Sequence, residues 1–560
     1  MTENSGNDDD DDDTITVDGV LDQRGNIWIA VTRRKRVAYT KKHNFLLGTS
    51  GAVTELAEQG VPLPLPRQQQ ILRQQVDRIH NPTKRILVAE RPGLVTRDAY
   101  ALLTGTIISK GAPRAAGVVI AFARQPGSSV RGTLAQWHEN VGAAMHHQPT
   151  LQAIAGFALM GMLLRHFGRL AGIQDNPMIN IVGPSSCGKT TALRVAKSLF
   201  SVGEPGSWLA TTNAMEDLGQ ASNDGALFLD EGFHAGADHR TRALTQSAVV
   251  MALSSGMVKA RKGQVSPPAA KFSAISTSNG YVTSYGGNTA AVDPALMVRM
   301  PVIDLVGRPY GILDCPGPDG AARIIDRLNA ATSMYGGAPV QAFLVGLTGA
   351  LAADRAKLNR EVAGAIAVFR QKAVGHGKLT PMEERIIGRF ALAYSAGFLA
   401  KRWGVFPASW NEFGSGMLTL FNMAREVLEV GANTDPIVRL ELGLRRIRAR
   451  LFEENNSSPA DAAPGIQQHH IGAIRHSALK GIELLMRKSD FERTFNHLGH
   501  DLIATLRTAG ALADPETQAN GQLRPTVKRT LYPGQPPERV IAVRLERSAY
   551  PNELKVHRAE

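Results

Sequence analysis

The segment Pro177–Thr191, with the sequence PMINIVGPSSCGKTT, decides the fold of this chain. A mostly apolar stretch, Met178 to Val182, is typical of a buried strand and runs directly into a loop that matches the pattern G-x-x-x-x-G-K-[ST]. A helix is expected to begin near Thr190. Glycines in such a loop let backbone N–H groups turn towards phosphates, and the following helix N-terminus adds positive potential. The sequence therefore predicts a nucleotide-binding loop.

The side chains of this loop have distinct expected roles. Lys189 is expected to reach the β and γ phosphates, and Thr190 to ligand magnesium, so the predicted cofactors are ATP and Mg²⁺. Cys187 could make the site sensitive to oxidation, but a passive, small side chain is the simpler interpretation. The residues expected to contact the nucleotide are Gly183, Pro184, Ser185, Ser186, Cys187, Gly188, Lys189, Thr190 and Thr191.

A second motif, Ala226-Leu227-Phe228-Leu229-Asp230-Glu231, is expected to supply the acidic groups. Four apolar residues predict a buried strand that ends at the two acids. Magnesium in such sites needs an acidic ligand, and the attacking water needs a base. We therefore assign Asp230 to the metal and Glu231 to the polarisation of the water.

Two further residues complete the predicted catalytic set of Lys189, Glu231, Asn279 and Arg299. Asn279 ends the predicted strand Phe272–Asn279, where it is positioned to hold the water or sense the γ-phosphate. Arg299 is the candidate for a charge that stabilises the transition state from a neighbouring subunit, and Arg308 is an alternative. Asparagine at a strand end is also a common turn former.

A basic segment lies between the acidic motif and the Asn279 strand. Its sequence, SSGMVKARKG, contains Lys259, Arg261 and Lys262. In ring-shaped nucleic-acid motors, this place holds a hairpin aimed at the central channel. We therefore predict that these three residues bind DNA, with an ordinary surface hairpin as the alternative interpretation.

Charge and cysteine content narrow the class of protein. The 560 residues carry a net charge of +13, although seven acids lie within the first 13 residues, so a polyanionic partner is expected. Two cysteines exclude a disulfide framework and a cysteine-rich zinc site. The start of the chain lacks the pattern of a signal peptide, and the apolar run Ala153–Leu164 is too short to cross a bilayer. We expect a cytoplasmic protein without a membrane partner.

The chain is predicted to be an α/β protein with a P-loop NTPase core, a parallel sheet flanked by helices. A β-rich amino-terminal region, a helical subdomain and a small winged-helix-like carboxy-terminal module surround this core. The clearest helix starts at Thr380, where an N-cap threonine, Pro381 and Glu383 agree. The predicted parts are a disordered acidic tail (1–13), a β-rich domain (14–130), the ATPase core (131–315), the helical subdomain (316–452), a linker (453–465) and the winged-helix-like module (466–560).

Several motifs together carry a family resemblance. They are Gly132 to Trp137, the loop GPSSCGKTT, Trp208–Glu216 (WLATTNAME), LFLDE, Gly256 with Lys259 and Arg261, FSAISTSN, and the helical parts at 342–344 and 389–400. In combination they resemble the bacterial, phage and mobile-element family catalogued as domain of unknown function 927, over roughly residues 85–410. Pro184 and Cys187 stand where that family usually has glycine and threonine.

The resemblance implies a superfamily III helicase-like ATPase that performs ATP-driven work on DNA for a mobile element. By motif match, it assigns ATP-site roles to Lys189, Thr190, Asp230, Glu231 and Asn279. Our first hypothesis is a homohexameric replicative helicase or translocase on single-stranded DNA. The alternative is an ATP-switched replication initiator or helicase loader that binds DNA without unwinding it, and a third is a packaging or remodelling scaffold with slow turnover.

Overall fold

The structure of the protein is a computed structural model. It describes most of the chain, and the predicted acidic tail 1–13 and the residues Lys259, Arg261 and Lys262 lie outside the described residues. The described ranges are 14–114, 118–122, 130–232, 239–257, 268–280, 283–286, 289–292, 294–306, 308–316, 320–375, 377–432, 436–454, 470–477, 481–495, 502–513, 516–517, 523–532, 535–547 and 554–557.

The amino-terminal region combines small sheets with helices. β1, β2 and β3 form an antiparallel sheet, β5 to β8 form a second one, and β4 pairs with β9. Its elements are β1 (Thr16–Leu21), β2 (Ile27–Arg33), β3 (Arg36–Lys41), α1 (Lys42–Leu47), α2 (Thr49–Glu58), α3 (Pro66–Asp77), β4 (Leu87–Ala89), β5 (Gly93–Thr96), β6 (Ala99–Ala101), β7 (Ile107–Ser109), β8 (Ala112–Arg114) and β9 (Val118–Ile120).

The prediction of a β-rich amino-terminal region missed the three helices. In α3 the buried residues Gln68, Leu72 and Val76 recur every four positions and pack against the first sheet. Such spacing is typical of a helix with one buried face. Glutamines and arginines fill the other positions, so the apolar signal is short and easily overlooked.

The core contains a parallel sheet with the strand order β11-β12-β13-β10-β16. Its elements and neighbours are α4 (Leu134–Trp137), α5 (Pro149–Leu159), α6 (Leu164–Phe167), β10 (Met178–Val182), α7 (Lys189–Ser198), β11 (Gly206–Ser207), α8 (Thr212–Ala221), β12 (Gly225–Asp230), α9 (His239–Ser255), β13 (Phe272–Ser278), β14 (Thr283–Gly286), β15 (Thr289–Val292), α10 (Pro294–Arg299) and β16 (Val302–Asp304).

Alternate residues of the central strands enter different hydrophobic clusters. Ile179 and Ile181 of β10 pack in the large cluster with α5 and α7, whereas Met178 packs with Trp208 and Val250 on the opposite face. Successive side chains of a strand point to opposite faces, so helices cover both sides of the sheet. The predicted parallel α/β core is confirmed at this level.

The most apolar helical stretch, Pro149–Phe167, lies inside the molecule. In the part of the chain that the structure describes, it is the one helical segment that is long and apolar enough to cross a membrane. Of its apolar 18-residue stretch, 89% is buried inside the protein. It packs against α13 and α14 and under the core sheet. The burial predicted for Ala153–Leu164 is therefore confirmed, and no membrane span is indicated.

Long helices follow the core: α11 (Ala321–Met334), α12 (Ala338–Val374), α13 (Pro381–Arg402) and α14 (Phe413–Ala432). The capping box predicted at Thr380 is confirmed, because the Thr380 hydroxyl accepts from the N–H of Glu383 and the Glu383 carboxylate accepts from the N–H of Thr380. The helix ends before Gly404, whose φ of +67° favours glycine. α12 bends at Asp354, where the backbone is not helical.

The carboxy-terminal region has its own sheet, with the order β17-β18-β19-β23-β22 and β24 beside β23. Ile437 and Leu440 of α15 share a core with Ile474 and Ile541, which lie beyond the predicted linker 453–465. The elements are α15 (Pro436–Ile447), β17 (Leu451–Glu454), β18 (Gly472–Ser477), β19 (Gly481–Arg487), α16 (Lys488–Phe495), α17 (Leu502–Thr508), β20 (Glu516–Thr517), β21 (Leu523–Arg524), β22 (Thr526–Arg529), β23 (Glu538–Arg547) and β24 (Leu554–Val556).

Two helical glycines give a matched test of the packing between the apolar helix and the core sheet. A Cβ atom at Gly161 would lie 1.7 Å from the carbonyl oxygen of Gly225, whereas one at Gly364 would meet nothing within 4 Å. We expect Gly161→Ala to destabilise the protein by at least about 3 kcal/mol through overpacking. Gly364→Ala, in an exposed helix interior, should stabilise it by about 0.5–1 kcal/mol.

Thermal unfolding, followed by circular dichroism, measures both variants. The midpoint should fall for Gly161→Ala and should not fall for Gly364→Ala. A Gly161→Ala protein that unfolds at the wild-type temperature would show that the helix does not press against the start of β12.

Candidate functional site

The loop between β10 and α7 turns tightly around its own backbone. Gly188 has a φ of +83° and Ser186 a φ of +62°, both in the left-handed region. A Cβ atom at Gly188 would lie 2.6 Å from Cγ2 of Ile312, and one at Gly183 would lie 2.9 Å from Sγ of Cys187. Glycine is therefore required at both ends of the loop. Gly188 needs a positive φ, and neither Gly183 nor Gly188 has room for a Cβ atom.

The ammonium group of Lys189 lies at the centre of the site. It donates to the carbonyl oxygens of Gly183 and Pro184 at 2.7 Å each, and to Oδ1 of Asn279 at 3.0 Å. Burial lowers the pKa of Lys189, and the nearby Cys187 and Asp230 oppose that shift. Asn279 follows β13, the strand next to β10, and this places its side chain beside the Lys189 ammonium group.

The end of β12 is held by a small network of hydrogen bonds. The hydroxyl of Thr277, on β13, donates to Oδ1 of Asp230. The N–H of Glu231 donates to the same Oδ1 at 3.0 Å and to Oγ1 of Thr277 at 3.2 Å. Glu231 has a φ of +63°, which is unusual for a residue with a Cβ. These two bonds hold its strained backbone and leave its side chain exposed.

The side chains at this edge fit a magnesium–nucleotide complex. Thr190, the second residue of α7, offers a hydroxyl, and Asp230 offers a carboxylate whose hydrogen bonds are concentrated on one oxygen, Oδ1. Hydroxyl and carboxylate oxygens are the ligands that Mg²⁺ prefers. The helix N-terminus and the Lys189 ammonium add positive charge beside them.

Other loop residues have structural contacts. The Thr191 hydroxyl donates to Oδ1 of Asn329, on α11, at 3.0 Å. The carbonyl oxygen of Cys187 accepts from the N–H of Ile312 at 2.9 Å, and burial raises the pKa of the Cys187 thiol. Pro184 is half-buried and its neighbours in the sequence, residues 185 and 186, are exposed. Cys187 thus packs as a thiol within the loop.

Arg299 ends α10 and lies apart from the residues around Lys189. Its Nη1 donates to the carbonyl oxygen of Ala295 at 3.0 Å, within the same helix. Its own carbonyl oxygen accepts at 2.6 Å from Arg389, a buried residue whose guanidinium pairs with both oxygens of Asp175. In the described part of the chain, Arg299 makes no hydrogen bond to Lys189.

Arg308, the alternative to Arg299, is part of an internal ion pair. Its Nη2 lies 2.5 Å from Oδ1 of Asp314, and its Nη1 donates to the Thr150 hydroxyl at 2.8 Å. These bonds tie the segment after β16 to the start of α5. Arg308 therefore has a structural role within the subunit.

The ends of the predicted DNA-binding segment can be placed, although Lys259, Arg261 and Lys262 themselves lie outside the described residues. Gly256 follows α9 with a φ of +66°, and its carbonyl oxygen accepts from the N–H of Ala270 at 2.8 Å. The chain therefore leaves and returns at nearly the same place, next to the start of β13.

Several residues that hold the site in place through hydrogen bonds were not predicted from the sequence. Thr277 orients Asp230, and the indole N–H of Trp208 donates to the Ser276 hydroxyl at 2.9 Å. The amide of Gln246, on α9, donates to the carbonyl oxygen of Gly232 at 2.6 Å. The polar run Ser276-Thr277-Ser278 inside a buried strand was the available signal, because buried hydroxyl groups need partners.

Comparison with known proteins gives three findings. A solved structure described as "SCCmec type IV Cch - active helicase" is similar over 94% of this chain and 93% of that chain, with a TM-score of 0.50 and 16% sequence identity. At this identity the likeness concerns the fold. No curated protein matches the chain.

The family model described as "Domain of unknown function (DUF927)" matches residues 28–265. The match begins in β2, well before residue 85, at which the expected resemblance starts. It covers the loop 183–190 and the acidic motif at Asp230. It ends before Asn279 and Arg299. The resemblance to the DUF927 family is therefore confirmed over residues 28–265.

Proposed function

We propose that this protein is an ATP-dependent DNA helicase or translocase of a phage, plasmid or integrative element. The observation that carries the proposal is the contact between Lys189 and Asn279, which joins the phosphate-loop motif to the end of the neighbouring strand. The similarity in fold to a helicase structure over nearly the whole chain supports the same conclusion.

Each residue of the site has a role in this proposal. ATP would supply the phosphoryl group that is transferred to water, and a bound Mg²⁺ would supply positive charge that neutralises the phosphates. Lys189 would bind the β and γ phosphates, and Thr190 and Asp230 would hold the metal. Glu231 accepts a proton from the attacking water, and Asn279 orients that water while sensing the γ-phosphate through its contact with Lys189.

The finer parts of the proposal concern assembly and partners. We propose a ring, a homohexamer, that binds single-stranded DNA and works in the cytoplasm. The carboxy-terminal region would act as a winged-helix-like module, which is supported by two helices, α16 and α17, that are followed by the short pair β20–β21 and the antiparallel pair β22–β23. Arg299 would act across the subunit boundary, since its side chain is bonded only along its own helix in the described structure.

Two substitutions separate binding from hydrolysis. Lys189→Ala removes the charge that faces the transferred phosphoryl group, so turnover should fall at least about 100-fold. Glu231→Gln should retain ATP binding and lose hydrolysis to a similar extent, because only the water is affected. Steady-state phosphate release and binding of a fluorescent ATP analogue measure these properties.

The controls are Lys357→Ala on α12 and Glu58→Gln on α2, which make the same chemical changes at exposed positions. Both controls should hydrolyse ATP at the wild-type rate. Wild-type turnover in Lys189→Ala and in Glu231→Gln would refute the assignment of this site.

Mixtures of variant and wild-type chains test whether Arg299 acts on the ATP site of a neighbouring subunit. If Arg299 completes the site of a neighbour, an equal mixture of Arg299→Ala and wild-type chains should retain clearly less than about half of the ATPase activity. The substitution keeps the carbonyl oxygen that binds Arg389, so the local fold should survive.

Arg402→Ala, which removes an exposed arginine paired with Glu361, is the matched control and should not poison wild-type chains. Activity that declines in proportion to the fraction of Arg299→Ala would indicate that Arg299 acts within its own subunit.

A further inference from the structure

A second candidate site lies between the amino-terminal region and the core. It is a cleft of about 630 Å³ whose lining includes five arginines from distant parts of the chain, which we call the arginine cleft. These residues come from the β1–β2 turn, the start and the tip of the β5–β6 hairpin, α6 and α12. They are Arg24, Arg91, Arg97, Arg165 and Arg355.

Two of the five arginines hold the walls of the cleft together through contacts with other elements. Arg165 forms an ion pair with Asp224 at 2.5 Å, and the Asp224 side chain is 1% exposed. Arg91 donates to Oε1 of Gln220 at 2.7 Å and to the carbonyl oxygen of Pro268 at 2.6 Å. The Arg91 contacts fasten the start of the β5–β6 hairpin to α8 and to the segment before β13, and the Arg165 contact joins α6 to the start of β12.

The other three arginines leave positive charge uncompensated. Arg24, Arg97 and Arg355 are exposed, and in the described part of the chain none of them has a carboxylate within ion-pair distance. The one further acid in the lining, Glu90, is bonded to Lys41 at 2.6 Å. An accumulation of unpaired guanidinium groups in a concave surface attracts anions.

The charges in the cleft also act on one another. Burial lowers the pKa of Arg91, and the positive charges of Arg165 and Arg24 lower it further. Burial lowers the pKa of His166 to about 4, with added contributions from Arg355 and Arg165. His166 is therefore neutral at physiological pH, and its Nε2 is a buried atom without a hydrogen-bond partner in the described structure. A bound anion would relieve the repulsion among the guanidinium groups.

The position of the cleft favours an extended anion over a single phosphate. It borders both ends of residues 258–267, the segment that contains Lys259, Arg261 and Lys262. Gln220 donates to the carbonyl oxygen of Gly256 at 3.3 Å, and Arg91 binds Pro268 on the other side of the segment. The described residues on both sides of this basic segment therefore lie at the cleft. Its volume of about 630 Å³ is in the range of ligand pockets and is large enough for several phosphate groups of one strand.

We propose that the arginine cleft binds the phosphodiester backbone of single-stranded DNA, an inference that rests on the proposed helicase function. Arginine suits this task because its planar guanidinium binds phosphate through two parallel hydrogen bonds. The cleft lies at the amino-terminal edge of the core sheet, whereas Lys189 and Asp230 lie at the carboxyl edge. DNA and nucleotide therefore occupy opposite ends of the same strands.

The test removes two exposed charges without touching the contacts that build the cleft. The double variant Arg97→Ala and Arg355→Ala is compared with Arg67→Ala and Arg73→Ala, which removes two exposed arginines from α3 outside the cleft. The probe is a fluorescent thymidine oligonucleotide of about 20 nucleotides, and fluorescence anisotropy gives its affinity over a range of salt concentrations.

The cleft variant should bind the oligonucleotide about 10- to 30-fold more weakly at 0.1 M salt, and the slope of log K against log salt should become about 1.4 shallower. The α3 variant should bind like the wild type. All three proteins should hydrolyse ATP at the same basal rate, because Arg97 and Arg355 lie at the edge of the sheet opposite Lys189.

Wild-type affinity in the cleft variant would overturn the proposal, as would a wild-type protein that binds no oligonucleotide. Competition by inorganic tripolyphosphate as strong as that by unlabelled oligonucleotide, at equal phosphate concentration, would assign the cleft to small polyphosphates and would also overturn it. A wild-type protein that binds DNA through the cleft without hydrolysing ATP would refute the helicase function alone.

Discussion

The site depends on the three hydrogen bonds that the Lys189 ammonium group donates to oxygen atoms. Two of them close the loop after β10 on the carbonyl oxygens of Gly183 and Pro184, and the third reaches Asn279 at the end of β13. A single half-buried charge thus connects two neighbouring parallel strands. In the proposed function, a γ-phosphate that drew this ammonium group towards itself would change its contact with Asn279, and the occupancy of the loop would thereby be communicated to β13.

The strand β12 connects the two candidate sites. Asp224, just before the strand, holds Arg165 of the arginine cleft, and Asp230, at its end, is held by Thr277 in the nucleotide site. A strand of this length spans about 20 Å. The Tyr100 hydroxyl donates to the carbonyl oxygen of Asp224, so the amino-terminal region is attached at the same point. The proposed helicase would require such a connection between ATP and DNA.

The convergence of Lys189, Asp230 and Asn279 at one edge of the sheet follows from the sequence, because these residues follow strands in short motifs and parallel strands end at a common edge. Three features were not predictable for physical reasons. Thr277 is one hydroxyl in a buried polar run, and only the register of β12 against β13 shows that it meets Asp230. The helices α1 to α3 have short apolar faces among polar residues. The arginine cleft joins residues separated by up to about 330 positions, so no local pattern indicates it.

The unwinding of a forked DNA duplex tests the central claim most directly, because it separates a helicase from an initiator or loader that uses ATP only as a switch. The account predicts strand separation that continues as long as ATP is hydrolysed and that stops in Glu231→Gln, which retains bound ATP. A wild-type protein that binds the fork and ATP, hydrolyses ATP no more than once per binding event and leaves the duplex intact would contradict it.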